Sequence, residues 1–416
     1  MPSPSRRSFL ATAAGFALSP TLPAADPPRK RLAAVTTVWN YHSHAWHMAE
    51  RFLAGYPVRG HWHTPPIQVV SAYVDQKPTD DLSADRAREF GFTIYPTVAE
   101  ALRCGGDKLA VDAVLVIGEH GKYPKSPIGQ TQYPRYEFFK QAVAVLEKDG
   151  RVVPVFNDKH LSWKWEWAKE MYDTARRLKI PFLAGSSLPQ TWRMPSVDLP
   201  WGAEVEEVVG VGFGQVDSYD FHALEMIQCL VERRNGGETG VKSLQALRGE
   251  PVWNAMADGA WDPKLFEACL CRSQTVAQPP TTSDRHPTPE QVRQWVKNPV
   301  AYRYEYADGL KATMLLMNGL VGDFTVAARR KGQAEPLSTL FYLPPNPNVT
   351  YSAALMARAE ELFTTGEAPY PIERTLLTTG LVEAGMRSLA GGQKRIDTPH
   401  LAVRYIGPKE SQFLRD

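Results

Sequence analysis

Short apolar runs alternate with helical patterns from residue 31 to about residue 195. The candidate strands are short and rich in β-branched residues, as buried parallel strands are: residues 32–38, 67–74, 113–117, 152–156 and 181–184. Helical patterns lie between them: residues 43–53, 85–90, 98–103, 136–147 and 163–178. This order with short connections predicts an α/β fold with a doubly wound parallel sheet. Ligands of such sheets lie beyond the carboxyl ends of the strands, so we expect the site in those loops.

The composition excludes several classes of protein. A chain of 416 residues with 43% hydrophobic content has enough core for two domains. A formal net charge of +2 offers no basic face, so we expect no nucleic-acid partner. Mean hydropathy is −0.32, and no long apolar run follows the first residues, so no stable membrane span is expected.

The first thirty residues resemble an export signal followed by a linker. Arg6 and Arg7 precede a short apolar run at residues 9–18, and Ala24 and Ala25 supply small residues for cleavage. The run is much shorter than the roughly 20 residues that span a bilayer. We therefore expect export by the twin-arginine route to the periplasm or another extracytoplasmic space. The alternative is a cytoplasmic protein with a disordered amino terminus.

The pattern changes after residue 195. Strand patterns occur together at residues 204–213, 240–247, 301–306, 312–317 and 323–328, and a helical pattern covers residues 351–363. Grouped strands predict a second, α+β domain with an open mixed or antiparallel sheet. The expected organisation is therefore a signal and linker at residues 1–30, a first domain at 31–195 and a second at 196–416.

Five segments, in order, resemble the Gfo/Idh/MocA oxidoreductases. They are AREFGFTIYPTVAEAL (87–102), VDAVLVIGEHGKYP (111–124), VPVFNDKH (153–160) at the family's Glu-Lys-Pro motif, AKEMYDTARRLKIPFLAGSSLPQTWRMP (168–195) and GQVDSYDFHALEMIQCL (214–230). The resemblance covers most of the chain after residue 30, with no single motif intact. It implies a Rossmann-like first domain, a carbohydrate or cyclitol ligand in the interdomain cleft, and a homodimer formed through the second sheet. It also implies that a final helix, residues 376–389, returns to the interdomain region.

The same resemblance assigns catalytic candidates. Lys159 matches the lysine of the Glu-Lys-Pro motif, which in the family lies by the nicotinamide and the substrate hydroxyl, and Asp158 stands for the glutamate. His222 matches the histidine of the second-domain helix, and Glu225 matches the acid three residues later, on the same helical face. Lys159 and His222 are expected to face each other across the cleft. The alternatives are a solvated loop lysine and a hydrogen-bonded interface histidine.

The cofactor prediction follows from the first turn. Candidate cofactor-binding residues lie at the ends of the first three strands: Thr37, Trp39, His42, Asp75, Glu119 and His120. The first three occupy the positions of the glycines that let a pyrophosphate approach the backbone. We expect Trp39 to fill the pyrophosphate space and Asp75 to remain available for a ribose hydroxyl. Binding of NAD(P) is therefore expected to be weak, absent or altered in pose.

Histidines cluster near the first strand. His42, His44, His61 and His63 form two His-x-His pairs, which could hold a divalent metal such as zinc, copper or iron. The alternative is a set of polar histidines that line a cleft among aromatic residues. Three functions remain open: a Gfo/Idh/MocA-like enzyme acting on a carbohydrate or cyclitol, a metal-assisted sugar hydrolase or lyase, and a non-catalytic sugar-binding protein.

Overall fold

The computed structural model describes residues 28–280, 285–345 and 349–415. The proposed export signal lies outside these residues, apart from the end of its linker. The strands of the first part of the chain are β1 (Lys30–Thr36), β2 (Tyr56–Val58), β3 (His61–His63), β4 (Ile67–Val74), β5 (Thr93–Tyr95), β6 (Ala113–Ile117), β7 (Val155–Asp158) and β8 (Phe182–Gly185). The helices are a π-helical turn (Ala45–Ala49), α1 (Arg51–Ala54), α2 (Ser83–Phe90), α3 (Val98–Arg103), α4 (Arg135–Asp149) and α5 (Trp165–Leu178).

Six of these strands form one parallel sheet in the order β5-β4-β1-β6-β7-β8. Every residue of β6 is fully buried, because helices cover both faces of the sheet. The strand order reverses at β1, which has β4 on one side and β6 on the other. The predicted doubly wound sheet is confirmed, and its ligand-binding crevice lies beyond the carboxyl ends of β1, β6 and β7.

The first crossover differs from the predicted helix at residues 43–53. It contains the π-helical turn followed by the single turn of α1, and Ser43 Oγ accepts hydrogen bonds from the amides of Asn40 and Trp46. The strands β2 and β3 then form a hairpin in the segment before β4. Gly55 has φ +83°, and a Cβ there would lie 2.4 Å from the His63 carbonyl oxygen. The close approach of the two ends of the hairpin therefore requires glycine.

The strands of the second part are β9 (Arg193–Met194), β10 (Val205–Gly212), β11 (Val241–Arg248), β12 (Val300–Tyr306), β13 (Lys311–Leu316), β14 (Phe324–Arg330), β15 (Leu337–Phe341) and β16 (Ile396–Asp397). The helices are α6 (Tyr219–Val231), α7 (Glu250–Ala257), α8 (Pro263–Arg272), α9 (Pro289–Trp295), α10 (Tyr351–Thr365) and α11 (Glu373–Ala390). In the described part of the chain, no helix is long and apolar enough to cross a bilayer.

The second sheet is mixed and has eight strands in the order β16-β11-β12-β13-β10-β14-β15-β9. Strands β10 and β13 are parallel, and their other partners are antiparallel. Alternate side chains of β10 are buried on opposite faces of the sheet. Val208 packs in the core that contains α6, whereas Val209 and Val211 pack with Trp253 and Leu265 of α7 and α8. Helices α7 and α8 therefore cover this face of the second sheet, and the homodimer remains a prediction.

A single boundary at residue 195 does not separate the two lobes, because segments on each side of it pack in the other lobe. Strand β9, at Arg193–Met194, already pairs with β15 of the second sheet. In the other direction, Leu355 and Phe363 of α10 pack in the same core as Leu32 and Phe52 of the first lobe. Helix α10 therefore belongs to the first lobe by packing, although it follows the second lobe in sequence.

Candidate active site

A cavity of about 620 Å³ lies between the two lobes. Its wall on the side of the parallel sheet comes from the loops after β1, β6, β7 and β8, and its other wall from α6 and the strands of the second sheet. Polar and aromatic lining residues come from both sides: His44, Glu119, His120, Asp158, Lys159 and Ser186 from the first lobe, and Tyr219, His222, Asp323 and Tyr342 from the second. The structure thus brings Lys159 and His222 to one cavity.

Lys159 lies in a buried ion-pair network. Only 4% of the residue is exposed, and its Nζ lies 3.2 Å from Glu119 Oε1. The other oxygen of Glu119 pairs with the fully buried guanidinium of Arg135. Burial alone would raise the pKa of Glu119, but the charges of Lys159 and Arg135 hold it well below its usual value. Glu119 is therefore a carboxylate that orients Lys159, and the alternative of a solvated loop lysine is wrong. The ammonium has three N–H donors, so it retains donors for a ligand.

Asp158 and His44 form a second buried pair. His44 Nδ1 lies 2.6 Å from Asp158 Oδ2, and the side chains are 18% and 1% exposed. The ring of His120 lies 5.0 Å from that of His44, and burial together with His44 lowers the pKa of His120 to about 4. Burial and the neighbouring histidines lower the pKa of His47 to about 3. His47 and His120 are therefore neutral at ordinary pH, and they surround His44 without adding charge.

His222 and Glu225 have different environments, although they lie on one face of α6. His222 lines the cavity, and its Nδ1 lies 2.6 Å from Ser186 Oγ. Glu225 is fully buried and accepts hydrogen bonds from the hydroxyls of Thr375 and Thr378 on α11. Glu225 does not line the cavity, although it accepts a hydrogen bond from the amide of Ser186, which does, and its catalytic assignment remains a prediction. One helical turn moves its carboxylate deeper, where it joins α6 to α11.

Two of the predicted cofactor residues, Trp39 and Thr37, are buried in the first lobe. Trp39 is fully buried, stacks on Phe92 and donates from Nε1 to Glu50, so it points into the core. The expectation that Trp39 fills the pyrophosphate space is therefore wrong. Thr37 is also buried, and its hydroxyl donates to the Glu119 carbonyl oxygen.

A second cavity, of about 610 Å³, lies beyond the carboxyl ends of β1 and β4. Its lining includes Tyr41, His42, Lys77 and His120, and His120 also lines the interlobe cavity. His42 adopts φ +61°, in the left-handed region that favours glycine. The two cavities are therefore adjacent, and His42, which has a left-handed backbone conformation, lines the second one.

Asp75 lies outside the lining of that cavity. Its two carboxylate oxygens accept hydrogen bonds from the hydroxyls of Tyr73 and Tyr123, at 2.7 and 2.6 Å. The side chain predicted to hold a ribose hydroxyl is thus already bound by two tyrosines of its own chain.

The four histidines proposed as metal ligands do not come together. His44 lines the cavity beside Asp158, whereas His61 and His63 lie on the β2–β3 hairpin, and His63 Nε2 is 2.9 Å from Glu360 of α10. Among the residues that the structure describes, no group of three or more histidine, cysteine, aspartate or glutamate side chains could hold a metal ion. Tyr56 and His63 of the hairpin both bond to Glu360 of α10, and neither His61 nor His63 lines the cavity that His44 lines.

Three residues near the site were not predicted. Ser186 follows β8, the sixth strand of the parallel sheet in chain order, and it would have been found if the rule on carboxyl ends had been applied to that strand too. Arg135 begins α4 and is fully buried beside His160, at 3.0 Å. Asp217 lies in the turn before α6, and no sequence pattern distinguishes it from a surface acid.

Asp217 provides a stability prediction. Its Oδ2 accepts a hydrogen bond of 2.5 Å from the Thr131 amide, which joins the loop before α4 to the start of α6. Burial, with help from the charge of Asp220, raises the pKa of Asp217 to about 7, although the Thr131 bond opposes this. The pKa of an aspartate in an unfolded chain is about 3.9. The folded state therefore retains a proton that the unfolded chain has released, and this stabilisation is full below about pH 4 and is lost as the pH rises through about 7.

We expect Asp217→Asn to remove this pH dependence, because the amide cannot ionise and its oxygen can still accept the Thr131 bond. Melting temperatures at about pH 5 and about pH 8 measure the effect. The variant should be more stable than the parent protein at the higher pH. An equal pH dependence in both proteins would contradict the assignment.

The two lobes, the parallel sheet and the cleft together define the two-domain, Rossmann-like fold of the Gfo/Idh/MocA-type dehydrogenases. No family model and no curated protein matches the sequence. Among solved structures, GenD2 from gentamicin A biosynthesis, in complex with NAD, is 14% identical with a TM-score of 0.53, covering 90% of this chain and 99% of its own. The myo-inositol 2-dehydrogenase of Lactobacillus plantarum is 10% identical, with a TM-score of 0.52 and coverages of 89% and 99%. The myo-inositol dehydrogenase of Lactobacillus casei, in complex with NAD(H) and myo-inositol, is 11% identical, with a TM-score of 0.52 and coverages of 89% and 96%. At these identities the likeness establishes the fold.

Proposed function

We propose that this protein is an exported oxidoreductase-like enzyme that acts on a polyhydroxylated ring compound, a carbohydrate or a cyclitol, in the interlobe cavity. The observation that carries the proposal is the meeting of Lys159, the His44–Asp158 pair and His222 at one cavity of about 620 Å³. Further support comes from the three structural neighbours named above, of which two are inositol dehydrogenases. The adjacent Arg6 and Arg7 support export.

The chemistry of the cavity suits a ligand with many hydroxyl groups. Lys159 donates hydrogen bonds and carries a charge balanced by Glu119, so it can polarise a ligand oxygen. His44 and His222 offer ring nitrogens, which exchange hydrogen bonds with hydroxyls. The side chain of Tyr219, which is 39% exposed and lines the cavity, offers an aromatic face for the C–H side of a sugar or cyclitol ring.

The fold implies a nicotinamide dinucleotide, and the residues around the first turn meet its requirements only in part. The second cavity offers space and two lysines, Lys77 and Lys122. The amides of Asn40 and Trp46 already donate to Ser43 Oγ, and side chains stand where glycines are usual, which supports an altered pyrophosphate site. We therefore propose that the dinucleotide does not bind in its usual pose, and no step of the reaction is assigned to it.

Calorimetric titration with myo-inositol, in the absence and presence of NAD, tests the proposal. We expect the ring polyol to bind the protein without NAD, and NAD to bind weakly. The acyclic hexitol sorbitol is the matched control, because it offers as many hydroxyls but must lose more conformational entropy on binding. Failure of a panel of cyclitols and sugars to bind would contradict the ligand class. Submicromolar NAD binding, or nicotinamide that copurifies, would contradict the altered pose.

A further inference from the structure

We infer that the two histidines of the interlobe cavity are held in opposite tautomers. His44 presents a bare Nε2 that accepts a hydrogen bond from the ligand, and His222 presents an Nε2–H that donates one. Asp158 and Ser186 are the positioning residues that select these tautomers. The identity of the ligand rests on the proposed function, whereas the tautomers themselves belong to the ligand-free protein.

Asp158 determines the tautomer of His44. A carboxylate only accepts hydrogen bonds, so the 2.6 Å contact between Asp158 Oδ2 and His44 Nδ1 requires the hydrogen on Nδ1. In the neutral ring, Nε2 then carries the lone pair. The side chain of Asp158 is 1% exposed, so the contact is shielded from solvent. The position of Asp158 at the end of β7 makes this contact part of the parallel sheet's edge.

Ser186 determines the tautomer of His222 in the opposite sense. Ser186 Oγ already accepts a hydrogen bond from the Leu188 amide, at 3.1 Å. We assign the 2.6 Å contact with His222 Nδ1 to donation by this hydroxyl. In that arrangement the hydroxyl hydrogen has an acceptor, whereas a second bond accepted by Oγ would leave that hydrogen without one among the contacts of Ser186 in the described residues. Burial, together with the charge of Lys159, lowers the pKa of His222 far below its usual value, so the ring is neutral. A neutral ring that accepts at Nδ1 carries its hydrogen on Nε2.

The opposite tautomers give the cavity a hydrogen-bond acceptor on the His44 side and a hydrogen-bond donor on the His222 side. A ligand hydroxyl beside His44 has an acceptor for its proton, and a ligand oxygen beside His222 has a donor. Two nitrogens of the same residue type therefore recognise different groups of one ring. This arrangement makes His44, from the turn that lacks glycine, the group positioned to accept a hydroxyl proton, while His222 holds an oxygen.

Nitrogen-15 spectra of protein labelled at its ten histidines test the inference directly. The long-range couplings between ring nitrogens and ring hydrogens distinguish the two neutral tautomers and the imidazolium. Variants His44→Gln and His222→Gln identify the two resonances. At neutral pH we expect the Nδ1–H tautomer for His44 and the Nε2–H tautomer for His222.

Ser186→Ala should change the His222 resonances to those of a mixture of tautomers, and Ser186→Thr should preserve the parent pattern because it retains a hydroxyl. Ser162→Ala is the matched control. Ser162 is also buried and also accepts a backbone amide bond, from Lys164, but it does not bond to His222. An Nε2–H tautomer or an imidazolium at His44, an Nδ1–H tautomer or an imidazolium at His222, or the same response to Ser186→Ala and Ser162→Ala, would overturn the inference. Because the spectra are recorded without ligand, failure of the carbohydrate proposal would leave this result unaffected.

Discussion

Lys159→Met should weaken binding of myo-inositol by about 10- to 100-fold, because it removes charged hydrogen-bond donors from the cavity. Hydrogen bonds from charged groups contribute about 1.5–3 kcal/mol, which corresponds to that range. Methionine keeps most of the volume and apolar stem of lysine, so the shape of the wall is preserved. Calorimetric titration of the two proteins measures the difference, and turnover, where a substrate has been found, should be lost.

The same substitution should also lower stability. The ammonium of Lys159 neutralises part of the charge of buried Glu119, which keeps only Arg135 as its partner in the variant. We expect a loss of about 1–3 kcal/mol in the free energy of unfolding, as when a buried polar group loses its partner. Binding is therefore compared at a temperature at which both proteins are folded. Lys169→Met is the control, since Lys169 lies on α5, is 45% exposed and pairs with Asp173. Parent-like binding by the Lys159 variant would remove Lys159 from the site.

Glu232→Gln should destabilise the protein by about 3–5 kcal/mol, because it leaves Arg374 as an unpaired buried charge. Arg374 donates from Nε and Nη2 to the two oxygens of Glu232, at 2.9 and 2.5 Å, and the side chains are 2% and 1% exposed. The Tyr405 hydroxyl also donates to Glu232. The pair joins the end of α6, the helix that carries His222, to α11. Both helices pack on the second sheet. Urea unfolding followed by circular dichroism measures the change.

The matched control for this prediction is Glu250→Gln. Glu250 pairs with Arg293, and these side chains are 58% and 55% exposed, so we expect less than about 1 kcal/mol. Replacing both Arg374 and Glu232 with methionine should recover much of the loss, because no buried charge is then left unpaired. Similar small effects of Glu232→Gln and Glu250→Gln would contradict a structural role for the buried pair.

The elements of the fold were largely predictable because their patterns are local. Strands β6 and β4 and helix α3 have the predicted bounds, and most other elements differ by one to three residues. The exceptions are short or added elements. The three-residue strands of the hairpin are too short for a pattern. Helices α7 to α9 are also short, with ten residues or fewer each, and were not predicted. The helix predicted at residues 43–53 differs because its first turn is π-helical, and the amides of Asn40 and Trp46 donate to Ser43 Oγ there.

The catalytic candidates were predictable only where their position in the chain sets their position in space. Lys159 follows a parallel strand, and His222 lies in the first turns of α6, so both reach the cleft. Glu225 and Trp39 are also close to the cleft along the chain, but packing turns their side chains inward. Whether a side chain points toward the core or toward the cavity depends on the surrounding elements, and no local sequence pattern specifies their positions.

The sequence by itself determined the parallel sheet, its ligand-binding edge and the presence of Lys159 and His222 near that edge. The sheet and its edge follow from apolar periodicity and from the rule that parallel strands end on one side, whereas Lys159 and His222 were assigned by the resemblance to the Gfo/Idh/MocA oxidoreductases. Only the tertiary structure decided the partners: Glu119 with Lys159, Asp158 with His44, and Ser186 with His222. Each pair joins residues 36 to 114 positions apart, and hydrogen bonds form over about 3 Å, so the packing of separate strands and helices had to bring them together.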